Sequence, residues 1–252
     1  MKRKLTAILA CRNGGSRLYA KPLQNLDEEK NINIISYLIK KLKKIKAIDE
    51  VALAISEKKE NLEYINIAKK NSIKYVLGDD RDVLSRLIKC AKKVSTTDVL
   101  RITSESPFPF TENLKDIWKE HIKGNYDASF LDNIIDGCGY EIIKTKSLMT
   151  SYKLGSKKHR SEFCTLYMRE NHKDFNINRI ILKKKYFRKD LRLTVDNPED
   201  LILCKSVYNF FKNKEINLKK IISFLDKNPY LKKIISHHCK TGYKTMYNWG
   251  KY

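Results

Sequence analysis

Residues 5–10, LTAILA, form an uncharged, largely apolar run that leads straight into the glycine- and cation-rich stretch CRNGGSRLYAKPL. A strand that is apolar at consecutive positions has both faces buried, and such strands belong to parallel sheets covered by helices on either side. This run therefore points to a layered α/β domain rather than to a bundle or a sandwich. Gly14 and Gly15 permit positive φ and close backbone approach, Ser16 adds a hydroxyl, and Arg12, Arg17 and Lys21 surround the same turn. Backbone N–H groups and cations so arranged suit a polyphosphate, whose charge demands many donors and whose leaving group needs stabilising. The spacing is neither the dinucleotide fingerprint nor the Walker loop, so a plain solvated turn from strand to helix stays open as the alternative.

With 252 residues the chain can bury one large α/β core, and no low-complexity linker divides it, so a single domain is expected. No stretch approaches the apolar length of a membrane span, and the run after MKRK is too short for a secretory signal, so a cytoplasmic location is expected. A formal net charge of +23 raises the question of nucleic acid, since basic surfaces capture phosphate backbones without regard to sequence. Most of the cations are lysines spread over amphipathic stretches such as 34–45 and 218–225, where they form solvated faces. Neither a dedicated nucleic-acid partner nor a membrane partner is therefore expected. The six cysteines, at 11, 90, 138, 164, 204 and 239, lack paired spacing and read as small buried apolar residues. The histidines show no metal-ligand pattern, and His159 reads as an exposed polar residue.

Short strand-like and helix-like stretches alternate along the chain. Strands are expected at 51–55, 75–77, 99–103, 128–131, 140–143 and 192–195, with an edge strand at 175–182. Helices are expected at 34–44, 62–70, 83–93, 162–170, 218–225 and 229–235, and another begins at Pro198. Asp79, Asp80 and Asp82 precede the helix at 83–93, where its positive end favours acids. The strand reaching Thr103 delivers Ser104 and Glu105 beyond its end, the usual ligand-binding edge of an open α/β sheet. Asp196 ends the strand at 192–195 in the same way, and two carboxylates from separate strands can together hold Mg²⁺ beside a polyphosphate. Taken alone, Asp196 before Asn197-Pro198 reads first as a helix N-cap.

The segments ACRNGGSRLYAKPL, GDDRDVLSR, RITSESP and LRLTVDNPEDL follow an order and spacing that resembles the cytidylyltransferase family, which includes Kdo and acylneuraminate cytidylyltransferases. The likeness is strongest to the spore-coat polysaccharide biosynthesis protein F branch and continues through DGCGYEI, EFCTLYMREN and NLKKIISFLDKNPYLKKI. It implies a Rossmann-like three-layer α/β/α nucleotidyltransferase domain with a mainly parallel mixed sheet. In that scheme residues 1–125 hold the nucleotide, 126–190 serve acceptor binding and dimerisation, and 191–252 supply the second metal acid and the C-terminal helices. The implied reaction moves CMP from CTP to a sugar acid or a related phosphorylated or phosphonate acceptor, with release of pyrophosphate, in surface glycan biosynthesis. A homodimer and a Mg²⁺ cofactor are implied as well. By the same resemblance Arg12 and Lys21 are the catalytic triphosphate-binding cations, and Ala10, Gly14, Gly15, Ser16, Arg17, Arg86, Thr103 and Ser104 complete the nucleotide side. Glu105 and Asp196 fall on the metal positions, and Glu141, Glu162 and His159 are acceptor-side candidates.

The chain departs from the family pattern at three places. The GDxP motif reads Ser104-Glu105-Ser106-Pro107, and the extra methylene of glutamate matters because Mg²⁺ demands near-ideal geometry, so binding through water is an alternative. The Pro-Gly before the loop lysine is Tyr19-Ala20, which predicts a differently shaped turn. The EHVT motif reads Glu162-Phe163-Cys164-Thr165, which bears on the acceptor. Two other functions stay open: a nucleotidyltransferase that uses GTP or another triphosphate on a sugar phosphate, and a nucleotide-binding protein of a glycan pathway with weakened catalysis.

Overall fold

The computed structural model describes residues 2–15, 17–212 and 214–245, so Ser16 and the end of the aromatic tail, 246–252, lie outside the described residues. The chain opens with β1 (Leu5–Cys11), followed after a loop by the short hairpin β2 (Asn25–Asp27) and β3 (Ile32–Asn33), which was not expected. It continues through α1 (Ile34–Lys43), β4 (Glu50–Ser56), α2 (Glu63–Lys70), β5 (Lys74–Gly78), α3 (Val83–Lys93) and β6 (Asp98–Arg101). Next come α4 (Leu114–Lys123), β7 (Ala128–Leu131), β8 (Tyr140–Lys144), α5 (Thr145–Leu154), α6 (Leu166–Glu170) and β9 (Ile177–Arg179). Three helices close the chain: α7 (Pro198–Phe211), α8 (Leu218–Lys227) and α9 (Pro229–Thr245).

Among the described residues the main sheet has seven strands in the order β5-β4-β1-β6-β8-β7-β9. The pairs β1/β4, β1/β6, β4/β5 and β7/β9 are parallel, and only β8 runs against its neighbours. Alternation along the strands feeds two cores. In β4, Val51, Leu53 and Ile55 face the layer that contains α1, α2, α4, α7, α8 and α9, while Ala52 and Ala54 face α3 and α5. The apolar run of β1 thus lies at the centre of a three-layer, Rossmann-like sandwich with a mainly parallel mixed sheet. Helix starts follow local chemistry: the side chains of Asn33, Asp82 and Asn217 accept backbone N–H groups at the N-termini of α1, α3 and α8.

Several expectations are corrected. The helix expected at 162–170 forms only as α6, because the carbonyl of Glu162 accepts a hydrogen bond from Arg101 instead of entering a helical ladder. The stretch 192–195 is not a strand; it makes one isolated bridge, Arg192 to Asp136 of the connection between β7 and β8. The strand at 99–103 is replaced by β6, which ends at Arg101, and the edge strand at 175–182 shrinks to β9. Helices α4 and α5 were not expected. In α4 the apolar spacing was present in Leu114, Ile117 and Trp118, but α5 buries two serines, Ser147 and Ser151, which hide its inward face. All six cysteines are free and buried, as their scattered spacing suggested. Among the described residues no helix is long and apolar enough to cross a membrane.

Candidate active site

The loop after β1 is shaped by its backbone. The N–H of Ala20 donates to the carbonyl of Asn13 at 2.9 Å and closes the turn, while the N–H of Asn13 donates to Asn61 Oδ1 at 2.7 Å and ties the loop to the segment after β4. Tyr64 Oη donates to the Arg12 carbonyl at 3.4 Å from beneath. Neither Gly14 nor Gly15 adopts a positive φ; among the described residues of the loop the left-handed one is Ala20, at φ 49° and ψ 44°. Gly15 is needed for close approach, since a Cβ there would lie 2.7 Å from the Leu18 carbonyl oxygen. Gly14 opens on free space, with nothing within 4 Å of where its Cβ would stand.

This loop forms one wall of a cleft of about 120 Å³ at the carboxyl ends of β1 and β6. Ala10, Arg12, Gly14, Lys21, Arg86, Thr103, Ser104, Glu105 and Glu162 all line it, as do Arg101 and Ile102. Segments far apart in sequence therefore meet where open α/β sheets bind their ligands. A larger depression of about 490 Å³, around Lys43, Glu50 and Lys74, lies at the opposite ends of the strands. Its Glu50 is already paired with Lys4 and Lys74.

The charges of the cleft are arranged in pairs. Lys21 Nζ lies 2.5 Å from Asp196 Oδ1, and Arg17 reaches the same oxygen at 3.4 Å. Arg12 pairs with Glu162 at 3.1 Å. Arg86 is fully buried, donates to the Cys11 carbonyl at 3.4 Å, and keeps Nε without a partner among the described residues. An unpartnered buried guanidinium nitrogen beside an open cleft is the donor an anionic or polar ligand would satisfy. Burial, and next the charge of Asp196, push the carboxyl of Glu105 above the ordinary glutamate range, although Lys21 opposes the shift. Burial would raise Asp196 too, but hydrogen bonding and charge from Lys21, with Arg192 and Arg17, hold it below the ordinary aspartate range. The backbone N–H of Val195 donates to the Glu105 carbonyl at 3.1 Å and fixes the two acidic corners to each other. Glu105, raised by burial first and by the charge of Asp196 second, and Asp196 itself are the two carboxylates of the cleft that could hold a hard divalent cation.

Asp196 is not the helix cap. Asn197 takes that position, and the carboxylate of Asp200 accepts the N–H groups of Asp196 and Asn197, each at 3.0 Å. The Asp196 carboxylate is turned instead towards Lys21, Arg17 and Arg192.

On the other side of the cleft, Glu141 is buried and fully engaged. It accepts from Arg101 at 2.8 Å, from Thr165 at 2.7 Å and from Arg169 at 2.6 Å. Burial would raise its carboxyl, and the two arginines more than offset this and lower it. His159 is buried rather than exposed: Nε2 lies 2.8 Å from Glu170, and Nδ1 accepts the Ser156 N–H at 2.8 Å. Nδ1 therefore serves the turn at 157–160 and Nε2 ties that turn to α6, whereas Glu162 stays exposed at the rim. Sequence reading missed Arg101 and Arg192. Each is a cation in an otherwise apolar stretch, and that was the available signal.

The sequence matches the family described as Cytidylyltransferase over residues 6–234. It is 29% identical over 243 residues to an uncharacterized protein of Methanocaldococcus jannaschii, covering 96% of this chain and 99% of that one. It is 22% identical over 225 residues to the spore coat polysaccharide biosynthesis protein SpsF of Bacillus subtilis, covering 88% and 94%. A solved cytidylyltransferase structure from Leptospira borgpetersenii shares the fold with a TM-score of 0.83, at 22% identity, over 98% of this chain and 100% of that one.

Proposed function

We propose, from the premise that this chain belongs to the cytidylyltransferase family and is a nucleotidyltransferase, that it transfers CMP from CTP to a sugar acid or a related phosphorylated or phosphonate acceptor in surface glycan biosynthesis. The observation that carries this reading is the convergence of Arg12, Lys21 and Arg86 on one cleft with Glu105, with Asp196 held beside Lys21. Kinship with a polysaccharide biosynthesis protein supports the pathway class. The reaction is a single in-line displacement. An acceptor oxygen forms a bond to the α-phosphorus, the bond from that phosphorus to the bridging oxygen breaks, and pyrophosphate leaves with the electron pair. Arg12 and Lys21 stabilise the charge that accumulates on the departing phosphates, and the bare backbone at Gly14 lets them approach closely. Glu105 and Asp196 would hold Mg²⁺, which when bound supplies charge neutralisation on the polyphosphate. An acceptor hydroxyl must pass its proton to a carboxylate of the cleft, whereas an acceptor already present as an oxyanion needs only positioning.

Pyrophosphate release measured with Mg²⁺, CTP and a panel of sugar acids, sugar phosphates and phosphonates tests the reading. Turnover is expected with CTP in preference to GTP, UTP and ATP, and Lys21→Ala should lower it by about 10²–10³-fold while leaving the circular dichroism spectrum unchanged. Absence of pyrophosphate with every acceptor overturns the proposal.

A further inference from the structure

The pair between Arg12 and Glu162 joins the nucleotide loop to the acceptor side of the cleft. Arg12 Nη2 lies 3.1 Å from Glu162 Oε2, and the two side chains keep 40% and 60% of their surface in solvent. Pairs this exposed add little to folding, because water screens them and two long side chains must be ordered to form them. For the same reason they exchange partners easily. The base beneath Glu162 is firm, however. Its backbone carbonyl accepts from Arg101 Nη2 at 2.7 Å, and Arg101 Nη1 holds the buried Glu141 at 2.8 Å. Glu141 is fixed in turn by Arg169 and Thr165. A carboxylate is thus presented, from a rigid mount, to a cation that lines the same cleft as Lys21 and Arg86.

We propose, resting on the triphosphate reading of this cleft, that Glu162 occupies Arg12 as a stand-in for a triphosphate oxygen, and that Arg101 is the positioning residue that holds it there. Triphosphate binding exchanges one oxyanion for another on the same guanidinium. The released carboxylate then becomes available to an acceptor hydroxyl, which makes nucleotide binding the first step and acceptor binding the second. A ligand with a single phosphate has fewer oxygens with which to displace Glu162, so the exchange also favours long polyphosphates.

Calorimetric titration with inorganic tripolyphosphate, run in parallel with CTP, tests the exchange in the wild type, Glu162→Gln, Arg12→Gln and the double variant. Glu162→Gln is expected to tighten tripolyphosphate binding about two- to fivefold, the size an exposed pair supplies, and this gain should vanish in the Arg12→Gln background. Unchanged or weaker binding in Glu162→Gln overturns the proposal. A full gain without Arg12 also overturns it, because that result describes repulsion through space, and so does failure of the wild type to bind tripolyphosphate. In an Arg101→Lys background the Glu162→Gln gain should shrink towards none. If Arg101 were only structural, the melting temperature would fall while the gain persisted, and its positioning role would be refuted. Tripolyphosphate carries no base, so the two readings fail separately. Coupling with tripolyphosphate but no CTP binding refutes the cytidine reading alone, and CTP binding without the coupling refutes this proposal alone.

Discussion

Ala20 sets the aim of the loop. Its left-handed conformation, φ 49° and ψ 44°, costs a residue with a Cβ roughly 1–2 kcal/mol, and it persists because its N–H and C=O bond to Asn13 and Leu23. The next residue, Lys21, is thereby delivered to Asp196. Glycine in this place would relieve the strain but lose about 0.5–1 kcal/mol in chain entropy. Ala20→Gly should therefore stabilise the protein by up to about 1 kcal/mol while retaining turnover, as read from the urea midpoint and the pyrophosphate assay. A lower midpoint would show that the turn carries no strain. The sequence pointed to the Gly14-Gly15 pair as the flexible point and to Tyr19-Ala20 as a change of shape. The glycines instead provide close approach and open space, and the left-handed turn falls on the alanine. Residue types single out the loop, but a φ angle depends on the hydrogen bonds that close the turn.

At the scale of elements, the return segment before α7 holds the acidic corner together. Arg192 is buried and pairs with Asp136, Asp196 and Asp200, which come from the β7–β8 connection, the return segment itself and the first turn of α7. Burial would lower its pKa, and these three carboxylates raise it above the ordinary arginine value. The segment crosses above Gly137, whose φ is +85° and whose Cβ would stand 2.3 Å from the Thr194 nitrogen. That crossing leaves room for one bridge only, so a stretch with a strand-like pattern forms no strand. Removing a partner from a buried ionic cluster leaves the others uncompensated and typically costs about 3–5 kcal/mol. Arg192→Met is expected to lose that much in urea unfolding and to weaken nucleotide binding as Asp196 relaxes. Full stability in that variant would show the cluster to be incidental.

Across the whole molecule, acid should unfold the protein through a network beneath β6. Asp98 is buried and is held by Arg3 and by His121 Nε2, while His121 Nδ1 contacts Ser129 at 2.8 Å. Burial lowers the pKa of His121, with Asp98 only partly opposing it, so the unfolded chain takes the proton more readily than the folded one. Stability therefore falls as pH drops through the unfolded histidine value of about 6.5, with a slope of at most about 1.4 kcal/mol per pH unit from this residue. Asp98 adds to the loss further down: burial would raise it, but hydrogen bonds from His121 and Arg3 lower it, so its contribution is present above about pH 3.9 and disappears through its folded value. Urea midpoints at pH 7 and pH 5.5 should differ in the wild type and converge in His121→Gln, and an equal drop in both would remove His121 from the explanation. By itself the sequence determined the covered parallel sheet, from the largely apolar run of β1, and the helices that begin near 34, 83 and 218, because both depend on neighbours a few residues away. It also placed the loop cations and both candidate metal acids in motifs. Only the tertiary structure decided which charge meets which: Lys21 and Asp196 are 175 residues apart, Arg12 and Glu162 are 150, and Arg101 holds the second pair from the end of β6. A counter-charge is chosen by which surfaces the folded layers bring within a few ångströms, and local sequence carries no record of that distance.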